Sequence, residues 1–435
     1  MAGVRLVPIE EGASRHVGRA HPAFARRLAG IEGLRGVAIA SVLLYHVWLI
    51  SPPRRDPIHL GWLGTYIFPQ LGNGVTLFFA LSGFLLFLPF AAAALRQKRR
   101  PEFDAYLKNR ALRILPAYWF IFLFIALVLH SARVYRGDAA VVAGMHDPKL
   151  VVENLLLLQN YRPGTLATGI VPAWSLAIEV VFYLLLPLLV LVALWLARKA
   201  TSHRQRVAAM LFPAAFMAVV GLASLPIDVG VGRVFERSWI GVWQLSFLTH
   251  AHLFALGLAL AVVRVEWQDG RLRLPAWWRP IAAVALVVVA AVIVKLGADA
   301  AIAAKWQVTL VAVVCGLLLA LTVLPPARSR SPLIGTLESP AFVATGLASY
   351  SVYLWHAPII LWLRVHGVTH GGGFRAFGLN LLIVGTITGV ASWLTYRYVE
   401  KPALRLKSRT RVKRAEPAPA PRAKAEPAPG QQRAS

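Results

Sequence analysis

Ile31–Ile50, IEGLRGVAIASVLLYHVWLI, is the stretch whose reading decides the fold. An acid and an arginine, Glu32 and Arg35, open an apolar run, and His46 sits near its far end. Written as an α-helix, the eleven residues from Arg35 to His46 turn through about 1100°, three turns and roughly 20°. The two side chains therefore share one face, about 16 Å apart along the axis. Glu32 falls within roughly 40° of that face. An apolar helix of this length reads as a membrane span, and ionisable residues inside a membrane are costly enough to be functional candidates. Trp-Leu-Ile-Ser-Pro-Pro, which follows the run, offers no small-x-small cleavage site, so a retained helix is expected.

The rest of the chain repeats that pattern. With 57% hydrophobic residues and a mean hydropathy of +0.61, a soluble globule is excluded. Apolar runs place about ten transmembrane helices, at 34–50, 72–95, 114–130, 172–197, 207–226, 246–263, 280–297, 307–324, 343–365 and 377–396. The fold class expected is all-α and polytopic. The net charge of +27 invites a nucleic-acid reading, but its distribution argues otherwise. Segments on the N-terminal side of the membrane hold 33 Lys and Arg, against 10 on the opposite side. That asymmetry is the positive-inside pattern, so both termini are expected in the cytoplasm, the chain in the inner membrane, and no nucleic-acid partner. Residues 1–30 read as a basic N-terminal segment, 31–407 as one membrane domain, and 408–435, with AEPAP twice, as a disordered basic tail. The single cysteine, Cys315, allows no disulfide within the chain.

Other polar groups recur inside the apolar runs. Ser82-Gly83, amid Phe78, Phe79 and Phe84, reads either as a small-residue notch for helix packing or as room for a ligand. Arg110 and Arg113, three apart, share a helix face where they can meet anionic lipid or clamp phosphates. Ser175, Glu179 and Tyr183 form one polar stripe, and a carboxylate about five residues inside a span points to function. Ser349, Tyr353 and His356 form another stripe, with an interhelical hydrogen bond as the plainer reading of the histidine. Glu400 beside Lys401 reads as a surface pair. His250, His252, His366 and His370 lack ligand-type neighbours at metal spacing, and no metal is expected. The connection 131–171 is the longest, a functional loop or a disordered one.

Taken together these pieces resemble the acyltransferase-3 family, integral-membrane enzymes that O-acylate sugars of cell-surface polymers and some small molecules. The matching residues are Glu32-Gly-Leu-Arg35 and His46, Phe78 through Phe84, Arg110-x-x-Arg113-x-x-Pro116, Trp174-Ser175-Leu176 with Glu179, and Phe182-Tyr183. Ser349-Tyr350, Tyr353-Leu-Trp-His356 and Glu400-Lys-Pro402 complete them. The resemblance implies acyl-CoA, acetyl-CoA foremost, as a co-substrate reached from the cytoplasm. It further implies transfer to a hydroxyl of a carbohydrate or glycosylated acceptor at the outer side. Arg35, Arg110 and Arg113 would then hold the donor's phosphates and His46 would act as general base. Glu179 would orient the histidine or hold the acceptor, and Ser82-Gly83 would give the acyl arm passage. Glu32, Trp174, Ser175, Tyr183, Tyr353 and His356 would support the substrates or the site. The reading from a different class is a transporter or flippase for a glycolipid or small solute, weakened by the lack of a repeat between 30–200 and 207–400.

Overall fold

The computed structural model describes residues 28–53, 56–224, 237–296, 303–325 and 331–407. The N-terminal segment up to residue 27, the tail from 408, and Arg233 and Glu236 lie outside them. The chain runs α1 (Ile31–Ile50), α2 (Phe68–Leu71), α3 (Gly74–Leu95) and α4 (Phe103–Leu127), then a hairpin of β1 (Ala132–Arg136) and β2 (Ala139–Ala143). It continues through α5 (Pro148–Leu155), α6 (Trp174–Arg198), α7 (His203–Ser224), α8 (Trp239–Gln244), α9 (Phe247–Gln268) and α10 (Trp278–Leu296). The last elements are α11 (Ala303–Val323), α12 (Pro332–Leu337), α13 (Pro340–Leu347), α14 (Ser349–Val365), α15 (Phe374–Thr395) and α16 (Lys401–Arg405).

The protein is an all-α polytopic membrane protein. Among the described residues, eight helical stretches are long and apolar enough to cross a membrane, against the ten expected. The other two expected spans are α11, whose described apolar stretch is Gln307–Val323, and α14 with 17 residues. α14 departs from the membrane-span pattern for a physical reason. Most of its residues are buried among other helices, so it needs no lipid-facing apolar coat, and it is broken from α13 at Ala348.

Glycine decides how the helices approach one another. A Cβ on Gly33 would meet the backbone of Leu337, one on Gly36 the carbonyl of Phe342, and one on Gly346 the carbonyl of Glu32. The two glycines flanking Arg35 thus let α1 lie backbone-to-backbone against the α12–α13 turn. Gly83 and Gly257 do the same for α3 and α9, facing the carbonyls of Phe254 and Ala80. Without a hydrophobic force between helices in lipid, such close approach is what binds them. Around it stack Phe182 on Phe254, ring centroids 4.2 Å apart, and Phe79 on Phe254 at 4.8 Å.

Polar ties lock the two ends of the bundle. At the end where α1 begins, the amide of Gly30 donates to Glu338 (2.5 Å), Arg96 pairs with Asp269 (2.8 Å), and Arg279 donates to the carbonyls of Leu321 and Leu324. At the opposite end Asn380 donates to Ser51 Oγ (3.0 Å) and Arg364 to the carbonyl of Ile50 (3.2 Å). That second end carries the 131–171 connection, which is ordered. Gly137, at φ 59°, and Asp138 form the two-residue turn of the β1–β2 hairpin, and Asp147 caps α5.

Candidate active site

Two cavities lie along α1. The first, of about 120 Å³, is lined by Arg35, Ser82, Arg110, Arg113, Glu179, Tyr183, Ser349, Tyr350 and apolar residues of α3. The second, of about 600 Å³, opens toward the hairpin and is lined by Tyr45, His46, Asn73, Trp174, Arg133 and Arg364 among others. Val75, Tyr353 and no other residue stand in both walls, so the cavities adjoin there. Arg35 thus lines the first cavity and His46 the second, from one helix and three turns apart, as their spacing requires.

The first cavity is strongly cationic. Arg35 keeps one carboxylate at long range, Glu32 at 3.9 Å. Arg113 pairs with Glu400 at 3.0 Å. Glu400 is buried and also accepts from Ser351 Oγ, so the surface pair expected with Lys401 is corrected: the carboxylate points inward. The cause is local. Tyr396–Glu400 is a π-turn, and the extra residue it inserts rotates Glu400 from the outer face onto α4 and α14. Arg110 Nε is buried with no protein partner, and so is Ser349 Oγ. Lys407 adds a further cation nearby: burial, then Arg110, Arg113 and Arg35, hold its ammonium down to about 8.

Glu179 lies in this cavity too. Its two oxygens accept from Ser82 Oγ at 3.1 Å and Tyr183 OH at 2.6 Å. Neither of these bonds runs to His46. The place of Glu179 among the guanidiniums is the physically cheaper one for a buried carboxylate. Ser82 opens onto the cavity, whereas Gly83 is spent on the α9 contact; of the two readings of that pair, packing holds for the glycine.

His46 takes other partners. Its Nδ1 is 2.9 Å from the carbonyl of Val42 and 3.2 Å from Nε2 of His356. His356 is fully buried, and its Nδ1 lies 3.1 Å from the carbonyl of Val352. One turn before it, the Tyr353 hydroxyl contacts Ser175 Oγ at 2.7 Å and donates to the carbonyl of Pro172 at 2.9 Å. Trp174 lies against His250 (5.4 Å between ring centroids) with an edge in the second cavity. Sequence reasoning named Arg35, Arg110, Arg113, Ser82, Glu179, Tyr183, Ser175, Tyr353, His46, Trp174 and His356, and all of these line one cavity or touch a residue that does. It missed Glu400 and Lys407. The π-turn that turns Glu400 inward has no local sequence signal, while Glu400 followed by Lys-Pro is the one hint. Among the described residues no group of three or more His, Cys, Asp and Glu is placed to hold a metal ion.

Comparison with known proteins follows the same outline. A family model described as an acyltransferase domain matches residues 28–397, from just before α1 into the π-turn. The chain is 25% identical over 399 residues to BcsY of Komagataeibacter xylinus, named a putative membrane-bound transacylase, covering 89% of this chain and 85% of that one. It is 26% identical over 418 residues to the acyltransferase MdmB of Streptomyces mycarofaciens, covering 91% and 96%. The O-acetyltransferase OatA of Staphylococcus aureus is 22% identical over 389 residues, 87% of this chain and 57% of OatA. No solved structure matches the chain. With the match spanning both cavities and every helix that lines them, the chain belongs to the acyltransferase-3 family of integral-membrane O-acyltransferases.

Proposed function

We propose that residues 31–407 form a membrane acyltransferase domain that moves an acyl group, acetyl foremost, from acyl-CoA to a hydroxyl of a carbohydrate acceptor. The donor sits at the end where α1 begins and the acceptor at the hairpin end. The observation that carries this reading is the pair of adjoining cavities: guanidiniums of Arg35, Arg110 and Arg113 line one, and His46 lines the other. The excess of Lys and Arg on the α1-start side supports a cytoplasmic location for that end, where acyl-CoA is available, and the reading takes the membrane to be the inner one.

The chemistry follows from the groups present. Planar guanidiniums hold phosphate oxygens through paired hydrogen bonds, and an unpartnered Arg110 Nε supplies a donor with no competing protein acceptor. With its phosphates held there, the donor's extended pantetheine arm runs past Ser82 and Glu179 to Tyr353, bringing the thioester to the second cavity. His46 takes the proton of the acceptor hydroxyl at Nε2 as the oxygen attacks the thioester carbonyl. The tetrahedral intermediate then collapses, the carbon–sulfur bond breaks, and the imidazolium returns its proton to the CoA sulfur. The ester stays on the acceptor. A carbohydrate acceptor is supported by relatives named as O-acetyltransferases, among them YrhL of Bacillus subtilis, named a putative peptidoglycan O-acetyltransferase.

Purified protein with radiolabelled acetyl-CoA and an envelope glycan fraction tests the reading. Label moves to the glycan with the native chain, is lost with His46→Ala, and needs a higher donor concentration with Arg35→Ala. Undiminished transfer by His46→Ala would remove the base from the account.

A further inference from the structure

We infer that His356 is a positioning residue for His46: it accepts the Nδ1 proton of His46 and so leaves Nε2 as the basic atom facing the acceptor. This rests on the reading of His46 as general base and extends it to a residue that lines neither cavity.

The assignment comes from the hydrogen-bond network. A carbonyl oxygen can only accept, so the 3.1 Å contact of His356 Nδ1 with Val352 O puts a hydrogen on that nitrogen. In neutral imidazole the other nitrogen then carries a lone pair, and His356 Nε2 is an acceptor. The same logic applies to His46, whose Nδ1 lies 2.9 Å from Val42 O and must carry the hydrogen. That hydrogen is shared between Val42 O and His356 Nε2, 3.2 Å away. The reverse assignment would set a lone pair against a carbonyl at both histidines. One arrangement satisfies all three contacts, and it leaves Nε2 of His46, a residue of the second cavity's wall, unprotonated.

The consequence is catalytic. When His46 takes the acceptor's proton, positive charge spreads to its Nδ1–H, and the bond to His356 becomes charge-assisted and stronger. A neutral imidazole thus does what a carboxylate does behind a catalytic histidine elsewhere, without placing a formal charge at a fully buried position. Glu179, the carboxylate expected in that role, is held by Tyr183 and Ser82 instead.

The test compares purified full-length native protein, H46A, H356F and H356Q in the acetyl-transfer assay, with thermal unfolding in detergent as the control for folding. Glutamine can present Oε1 as an acceptor to His46; phenylalanine cannot. We expect H356F to lower kcat roughly 10- to 100-fold, the worth of one hydrogen bond to a charged group, with both KM values within about twofold. H356Q should recover most of that loss. If H356F does not fold, H356L against H356Q makes the same comparison. Native kcat in H356F or H356L while H46A is inactive would overturn the inference and leave the base assignment standing. Equal losses in H356Q and the apolar variant, all folded, would also overturn it. Activity in H46A would overturn both readings.

Discussion

Replacing Glu400 by glutamine keeps the shape of the side chain and removes one charge. Its carboxylate is 1% exposed and accepts from Arg113 Nη1 at 3.0 Å and from Ser351. Breaking a buried pair by removing one partner costs about 3–5 kcal/mol, because the other charge is left uncompensated. Arg113 retains 17% exposure and opens on a cavity, so the low end applies, about 3 kcal/mol. The loss should also sharpen repulsion among Arg35, Arg110 and Arg113, which line the same wall. The assay is thermal unfolding of purified protein in detergent, with and without CoA. E400Q should unfold several degrees below the native chain when empty. Saturating CoA should then raise its midpoint by more than it raises the native one, since phosphate oxygens take the place of the missing carboxylate on Arg113. A midpoint equal to the native value would refute the pair as a structural tie. A lowered midpoint with an ordinary CoA increment would refute Arg113 as a phosphate ligand.

Three further outcomes follow from the same geometry. Arg110→Met removes a buried Nε donor with no protein acceptor, so donor KM should rise roughly 10- to 100-fold in a transfer assay. Gly83→Ala forces a Cβ against the carbonyl of Phe254, so it should cost about 1–3 kcal/mol in a denaturation series, with donor KM within about twofold. Lys407, held down to about 8 by burial and by Arg110, Arg113 and Arg35, is protonated below that pH and neutral above it. Its folded value lies below the unfolded one, so the empty protein should gain stability as pH rises from about 8 toward 10, the window in which only the unfolded chain keeps the proton. Over pH 7 to 9 donor KM should rise in the native chain and rise less in Lys407→Met, read from initial rates at each pH.

Much of this site was legible before the structure because helical arithmetic is rigid. Eleven residues separate Arg35 from His46, and that spacing alone puts both on one face. The stripes Ser175–Glu179–Tyr183 and Ser349–Tyr353–His356 follow the same rule: the first brings all three residues to a cavity wall, and the second brings Ser349 and Tyr353 there with His356 beside His46. What sequence could not supply is the pairing between helices. Glu179 reads from the resemblance as a group that orients His46 or holds the acceptor; the structure brings it on α6 to the wall that the arginines share, and the imidazole opposite His46 comes from α14. Glu400 was misread because a regular helix would leave it outward, and only the π-turn at Tyr396–Glu400 reverses that. The hairpin in the 131–171 connection was likewise out of reach: β1 and β2 are five residues each and carry no clean alternation of polar and apolar positions.

The central claim is spatial, that donor phosphates anchored beside Arg35 and Arg110 present a thioester to His46 about 16 Å along the same helix. A structure of the protein bound to a non-transferable acyl-CoA analogue measures this directly. The account predicts phosphate oxygens within hydrogen-bond distance of Arg35 and Arg110, the acyl arm passing Tyr353, and the carbonyl carbon beside His46 Nε2. Phosphates bound at the hairpin end, or an acyl arm that turns away from Tyr353, would contradict it.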